Sequence, residues 1–279
     1  MSPDFRAASA AVRRDIREHH AAELADCDRI REHAVGMFEN WTGRGIERTA
    51  DGLVAAIFAR STDTFTCALR CVRLGYGGQG AMLNRSLFED MVDGHWIVTD
   101  PETAEARYPD HHTHGRMLLA DTVASFPDMY AEVEPPEFDP GERKRLDAMF
   151  GKYGERSWSG LSLHERVKLI QHHWTTEMDR EGLRFMHALA HRENNQTLHV
   201  SAQSLGAVAE VDESGRPAFR VGPRPDMVRR TMFGAFWTFT QTVTLVIDHF
   251  GFPMSDTERA AMFDASSFHK PDDPDALRF

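Results

Sequence analysis

The chain has 279 residues, 41% of them hydrophobic, and a formal net charge of −11. That length and apolar content suffice for a sizeable core without covalent staples, and the acidic balance excludes a general electrostatic attraction to nucleic acid, so any such role must be local. Three cysteines, Cys27, Cys67 and Cys71, without a Cys-x-x-Cys pair, argue against a disulfide framework or a structural zinc site; with no signal-like apolar run at the amino terminus, they predict a cytoplasmic protein.

From Phe5 to Asn40 the apolar residues Val12, Ile16, Leu24, Cys27, Ile30, Val35 and Phe38 recur at helical spacing, which predicts one long amphipathic helix with at most one break. A glycine-containing stop at Trp41 to Gly45 precedes a second long helix that starts near Thr49 and runs to Leu74. GYGGQG at Gly75 to Gly80 follows a helix rather than a strand and lacks the Lys-Ser/Thr ending of a phosphate loop. It reads as a tight helix-to-helix turn.

The segment Ala81 to Pro101 is apolar around nearly its whole circumference, as expected of a central buried helix. Arg85, Glu89 and Asp93 interrupt it at i, i+4 and i+8, forming a single polar stripe. Charges on a helix destined for the core need partners, so this stripe is a candidate wall of a pocket.

Asp100-Pro101 caps a more polar region, Thr103 to Met129, that includes HHTH at His111 to His114 and reads as one or two exposed helices. EVEPPEFDP, 132–140, is a crossover loop and the best internal boundary candidate in what is otherwise a single helical domain over 1–279. Helices resume at Gly141 to Tyr153 and at Leu163 to Met178, the latter opened by a Ser162/Glu165 capping box.

Val208 to Val221 breaks the helical pattern and predicts a small β-hairpin or a loop. Arg216, Arg220, Arg224, Arg229 and Arg230 follow closely and read as a basic patch able to contact phosphate. Asp226 to Phe250 is a long helix whose uncharged stretch, Thr231 to Ile247, is too short and too rich in threonine for a membrane span. One short helix follows Ser255, and 265–279 is expected to be a loose tail. The fold class is all-α, a bundle of about nine or ten helices with the one insertion near 208–221.

Glu181 to Leu205 concentrates the most chemistry: His187, His191, Arg192, Asn195, His199 and Ser201 lie against a thin apolar stripe. His187 and His191 share a helical face and with a carboxylate such as Glu89 form an alternative metal site, although neither His-Glu-x-x-His nor a paired Glu-x-x-His is present. No cofactor is otherwise called for.

RSLFE at Arg85 to Glu89, the DGHWIVTDPETAEARYPDH that begins at Asp93, and LRFMHALAHRENNQTLHVSAQSLG together resemble a bacterial family of helical proteins of unknown function. Its pattern is Arg-x-Leu-x-Glu early and His-x-Ser late, supplied here by His199-Val200-Ser201. The resemblance covers roughly Ala50 to Gly206 and implies an all-α fold without an assigned activity. Where that family carries a tyrosine and a serine ahead of the histidine, this chain has Phe185 and Ala188 to Ala190.

More distantly, Arg192 and His199, with six residues between them, resemble the Arg-to-His motif of HEPN ribonuclease-like helical proteins. That resemblance implies an endoribonuclease with His199 as acid/base, Arg192 as stabiliser of phosphorane charge, and Glu89 and Arg85 in support. Asn195, Ser201, Arg216 and Arg220 would bind substrate, RNA being the partner and a homodimer the assembly. Glu193, beside the expected phosphate, departs from the polar residue usual there. The alternatives are a non-catalytic module that binds a small ligand or a protein, and the metal-dependent enzyme using His187 and His191.

Overall fold

The computed structural model describes residues 3–41, 46–126, 128–129, 137–150, 158–172, 174, 177–189, 209–211, 214–219 and 222–268. Within them the chain is an all-α bundle with one two-stranded hairpin. Helices α1 (Pro3–His19) and α2 (Ala21–Glu39) are one amphipathic stretch broken at His20. The helices α3 (Thr49–Arg73), α4 (Gly77–Thr99) and, from far along the chain, α9 (Val228–Phe250) form the centre of the bundle.

Aromatic side chains hold that centre. Phe65 and Phe239 stack at 4.3 Å between ring centroids, and Phe58 stacks on Phe38 at 4.7 Å, so α2, α3 and α9 share one layer of rings. Each such buried phenylalanine contributes about 1.5–3 kcal/mol relative to leaving it exposed. The uncharged stretch of α9 is a core helix in which two threonines return their hydroxyls to the helix itself, Thr242 to the Thr238 carbonyl at 3.3 Å and Thr244 to that of Thr240 at 2.9 Å. No helix among the described residues is long and apolar enough to cross a membrane.

The glycine-rich turn between α3 and α4 does more than reverse the chain. Gly75 has φ +82° and its carbonyl accepts from the Arg224 amide at 2.7 Å, while a Cβ on Gly77 would fall 2.5 Å from the Asp226 carbonyl oxygen. The segment leading into α9 therefore lies directly on this turn. Asn84 donates to the Thr231 carbonyl at 2.8 Å and Thr231 to that of Gly77 at 3.0 Å, which locks α4 to the start of α9.

A single helix α5 (Pro101–Ser125), its N-terminus capped by Asp100, spans the region expected to hold one or two, and α6 (Pro140–Phe150) folds back along it. Met117, Leu146 and Phe150 make a second, small core between these two. The HHTH run is not wholly on the surface. His114 is buried, with Nε2 3.2 Å from Asp147 Oδ1 and its ring against Phe150.

The helix expected over Leu163 to Met178 is instead two, α7 (Leu163–Gln171) and α8 (Glu177–Met186), although the Ser162/Glu165 capping box opens α7 as anticipated. Strands β1 (Ala209–Val211) and β2 (Pro217–Phe219) pair antiparallel, which confirms a hairpin. After α10 (Asp256–Met262) a short 3₁₀ turn, Ser266–Phe268, buries Phe268 in the main core. Residues 265–268 pack against the bundle: the Phe268 ring meets Phe233 and Phe236, and the Phe268 carbonyl accepts from Arg229 at 2.8 Å. Residues 269–279 lie outside the described set.

Candidate functional site

Helical geometry places Arg85, Glu89 and Asp93 one above another on α4. Arg85 Nε donates to Glu89 Oε1 at 3.0 Å, and both side chains are partly open to solvent. One turn further, Asp93 accepts from the Trp158 indole N–H at 3.0 Å and forms an ion pair with Arg166 of α7. The stripe is thus part of an alternating series of charges: Arg85, Glu89, Arg166, Asp93.

Arg166 sits in the apolar face of α7, on the side that carries Leu163, Val167 and Ile170, and is itself buried. Burial pushes its guanidinium down to about 10, and the nearby Glu89 carboxylate works against that shift. It stays cationic at neutral pH. Its Nε has no hydrogen-bond partner among the described residues, so its charge is held by carboxylates rather than by a full set of bonds. The sequence did carry a signal for it: an arginine at i+3 within an i, i+3, i+4, i+7 apolar pattern must either reach out of the core or find a carboxylate inside.

Helix α8 and the turn that continues it bring His187 to this wall. Leu183, Met186 and Leu189 are buried, and Gly182 lies against the Trp237 ring of α9. His187 stacks on Phe88 of α4 at 5.9 Å and on His164 of α7 at 5.6 Å. Residues 187–189 continue the helix as a wider π turn, a local unwinding that recurs near functional sites.

A half-buried histidine lies further along α4. The Nε2 of His95 is sealed from solvent without a hydrogen-bond partner among the described residues, and its ring packs 5.3 Å from that of Trp174. Burial pulls its pKa down to about 4; a hydrogen bond to the backbone of Gln241 and the charge of Asp248 oppose this.

Of the residues singled out from the sequence, Arg85 and Glu89 are brought together, and His187 packs against the same helix through Phe88. His191, Arg192, Asn195, His199, Ser201 and Arg220 lie outside the described residues. Arg216 is exposed beside the hairpin turn, where it donates to Ser214 Oγ at 2.7 Å. Two arginines of the expected basic patch, Arg229 and Arg230, lie on α9 and are partly buried. Arg229 turns inward, donating to the Phe268 carbonyl at 2.8 Å and lying 3.8 Å from the buried Glu23, while burial lowers the pKa of Arg230. Helical periodicity separates these side chains once α9 begins, because neighbours in sequence point a hundred degrees apart. No group of three histidine, cysteine or acidic side chains suited to a metal ion occurs among the described residues.

The fold and this wall define an all-α protein whose central helix carries a charged stripe matched by a buried arginine. The chain belongs to a family of unknown function (DUF5677), whose model matches residues 51–216. That span opens in α3 and takes in α4 to α8 and the first strand of the hairpin, so it contains every member of the charge series. No curated protein and no solved structure shows significant similarity to the chain.

Proposed function

We propose that the chain is an endoribonuclease-like protein of the HEPN type, acting on RNA phosphodiesters at the wall made by α4, α7 and α8. The supporting observation is the stacking of His187 on Phe88, which lies between the paired Arg85 and Glu89 in the sequence of α4. Arg192 follows His187 by five residues, a reach of under about 18 Å even for extended chain.

In this reading His199 takes the proton of a ribose 2′-hydroxyl as its oxygen attacks the adjacent phosphorus, and the 5′-oxygen leaves with a proton, giving a cyclic phosphate and a free 5′-hydroxyl. Arg192 offsets the charge that builds on the phosphorane oxygens. Asn195 and Ser201 orient the phosphate, Arg216 and Arg220 hold flanking backbone, and Glu89 with Arg85 steadies the site from α4. A His199→Ala protein should keep its helical content and melting temperature while losing cleavage of a mixed set of structured and single-stranded RNAs at neutral pH. Intact RNA after incubation with the unmodified protein would remove the reading.

A second reading, a non-catalytic module that binds a small ligand or a protein, draws on the pairing within the charge series. Arg85 with Glu89 and Arg166 with Asp93 sum to no net charge, as in a polar network kept for specificity of packing. Thermal-shift measurements with nucleotides, metabolites and divalent cations separate it from the first. A stabilising small ligand, with RNA left uncut, is its expected signature.

A further inference from the structure

A stack of three rings runs outward from the core beside the charged stripe. Phe88 is fully buried, His187 half-buried, and His164, in the first turn of α7, exposed. The planes of Phe88 and His187 lie 23° apart at a centroid distance of 5.9 Å, and those of His187 and His164 22° apart at 5.6 Å. The rings are therefore close to parallel and offset, a favoured arrangement of aromatic pairs. One face of His164 is taken by His187. Its exposure is through the other face and the ring edge, so the stack ends on a flat π surface turned to solvent.

We infer that His164 is a platform on which one unpaired base of single-stranded RNA stacks, as the next ring of the series. An aliphatic side chain would shield His187 from water equally well, whereas a parallel ring at the end of a stack presents the kind of surface that nucleobases cover. The charges nearby suit the phosphates that flank such a base. Lys168 lies one turn along α7 on the same face and is exposed. Glu165, the acid next to His164, is turned back to its own helix end, where its carboxylate accepts from the Ser162 amide at 2.7 Å. On α4, Arg85 is the i, i+3 neighbour of Phe88 and, although paired with Glu89, is 26% exposed. The stack thus has a cation within one helical turn on both α7 and α4.

The inference rests on the RNA reading and narrows its substrate. A base inside a duplex has both faces covered by its neighbours, so a platform of this kind selects single strands, loops and ends, where a base can be splayed out. Stacking is tolerant of sequence because every base has a π face, and the platform therefore selects unpaired structure rather than a particular base.

Fluorescence anisotropy tests it, with the full chain carrying His199→Ala so that RNA stays intact. The probes are an end-labelled single strand of mixed sequence and a strand of the same length built of abasic ribose-phosphate units. In that background His164→Leu should weaken binding of the single strand roughly five- to a hundredfold, while His164→Phe, which restores a flat ring, should hold it within about twofold. Neither substitution should change binding of the abasic strand. His164 is exposed, so helical content and melting temperature should hold in both. The inference is overturned if the single strand does not bind, if His164→Leu binds it as tightly as the chain with His164, or if the abasic strand loses as much. Cleavage by the chain with His199 intact is read separately. Base-dependent binding without cleavage leaves the platform and removes the nuclease; cleavage of single strands that His164→Leu does not slow at subsaturating RNA removes the platform and leaves the nuclease.

Discussion

The two ends of the α4 stripe have the same chemistry and different surroundings. At one end Arg85 and Glu89 are 26% and 37% exposed; at the other Arg166 and Asp93 are 5% and 13% exposed. An exposed pair gains little, because water screens each charge almost as well as its partner does. A buried pair contributes little more in net terms, yet breaking it leaves a charge with neither water nor counter-ion. The inner end is therefore fixed architecture, and the outer end is where charge can be exchanged for a ligand at small cost.

The sharpest way to break this contrast is Arg166→Ala, which strands Asp93 and should cost about 3–5 kcal/mol in urea unfolding. Replacing both partners with leucine should recover most of that loss. If Arg166→Ala is as mild as a surface change, the inner end is not the fixed one.

His95 provides a third case on the same helix, a half-buried base whose pKa is lowered rather than sustained by a partner. The folded imidazole binds a proton near pH 4 and the unfolded one near 6.5. The unfolded chain thus takes up more protons between those values, so stability is present above pH 6.5 and falls as the pH drops toward 4, by about 2–3 kcal/mol in total. His95→Gln should flatten that acid limb. An unaltered limb would assign it to other groups.

Trp158→Phe keeps the ring packing on Trp96 and removes the N–H donated to Asp93. A loss of about 1–2 kcal/mol is expected, since the acceptor is charged. The smallest effect belongs to Arg85→Ala, within about 0.5 kcal/mol by thermal or chemical unfolding. Because its fold should be untouched, any loss of RNA binding or cleavage in that variant reports on the site alone.

Much of this was legible in the chain. The periodicities of Phe5 to Asn40 and of Thr49 to Leu74, the capping box at Ser162, and the threonine-rich core helix all have local causes, and local causes survive folding. The Arg85–Glu89 pair was legible for the same reason, being four residues apart on one helix. Arg166 was harder, because an arginine in an apolar pattern can either snorkel outward or be buried, and only a carboxylate on another helix decides between them. The length of α7 was misread because Gln171 to Met178 keeps helical character in sequence while its backbone breaks between α7 and α8.

By itself the sequence determined most of the helices and their ends, the break in helical pattern near 208–221 and the outer half of the charged stripe, since these depend on propensity, capping and spacing within a few residues. Tertiary structure alone decided that Asp93 meets Arg166 seventy-three positions away, that His114 turns inward to Asp147, and that Arg229 leaves the expected basic patch for Glu23. Each of these pairs joins different helices. Which faces meet is set by how the whole bundle packs its apolar surface, and no short stretch of chain contains that information.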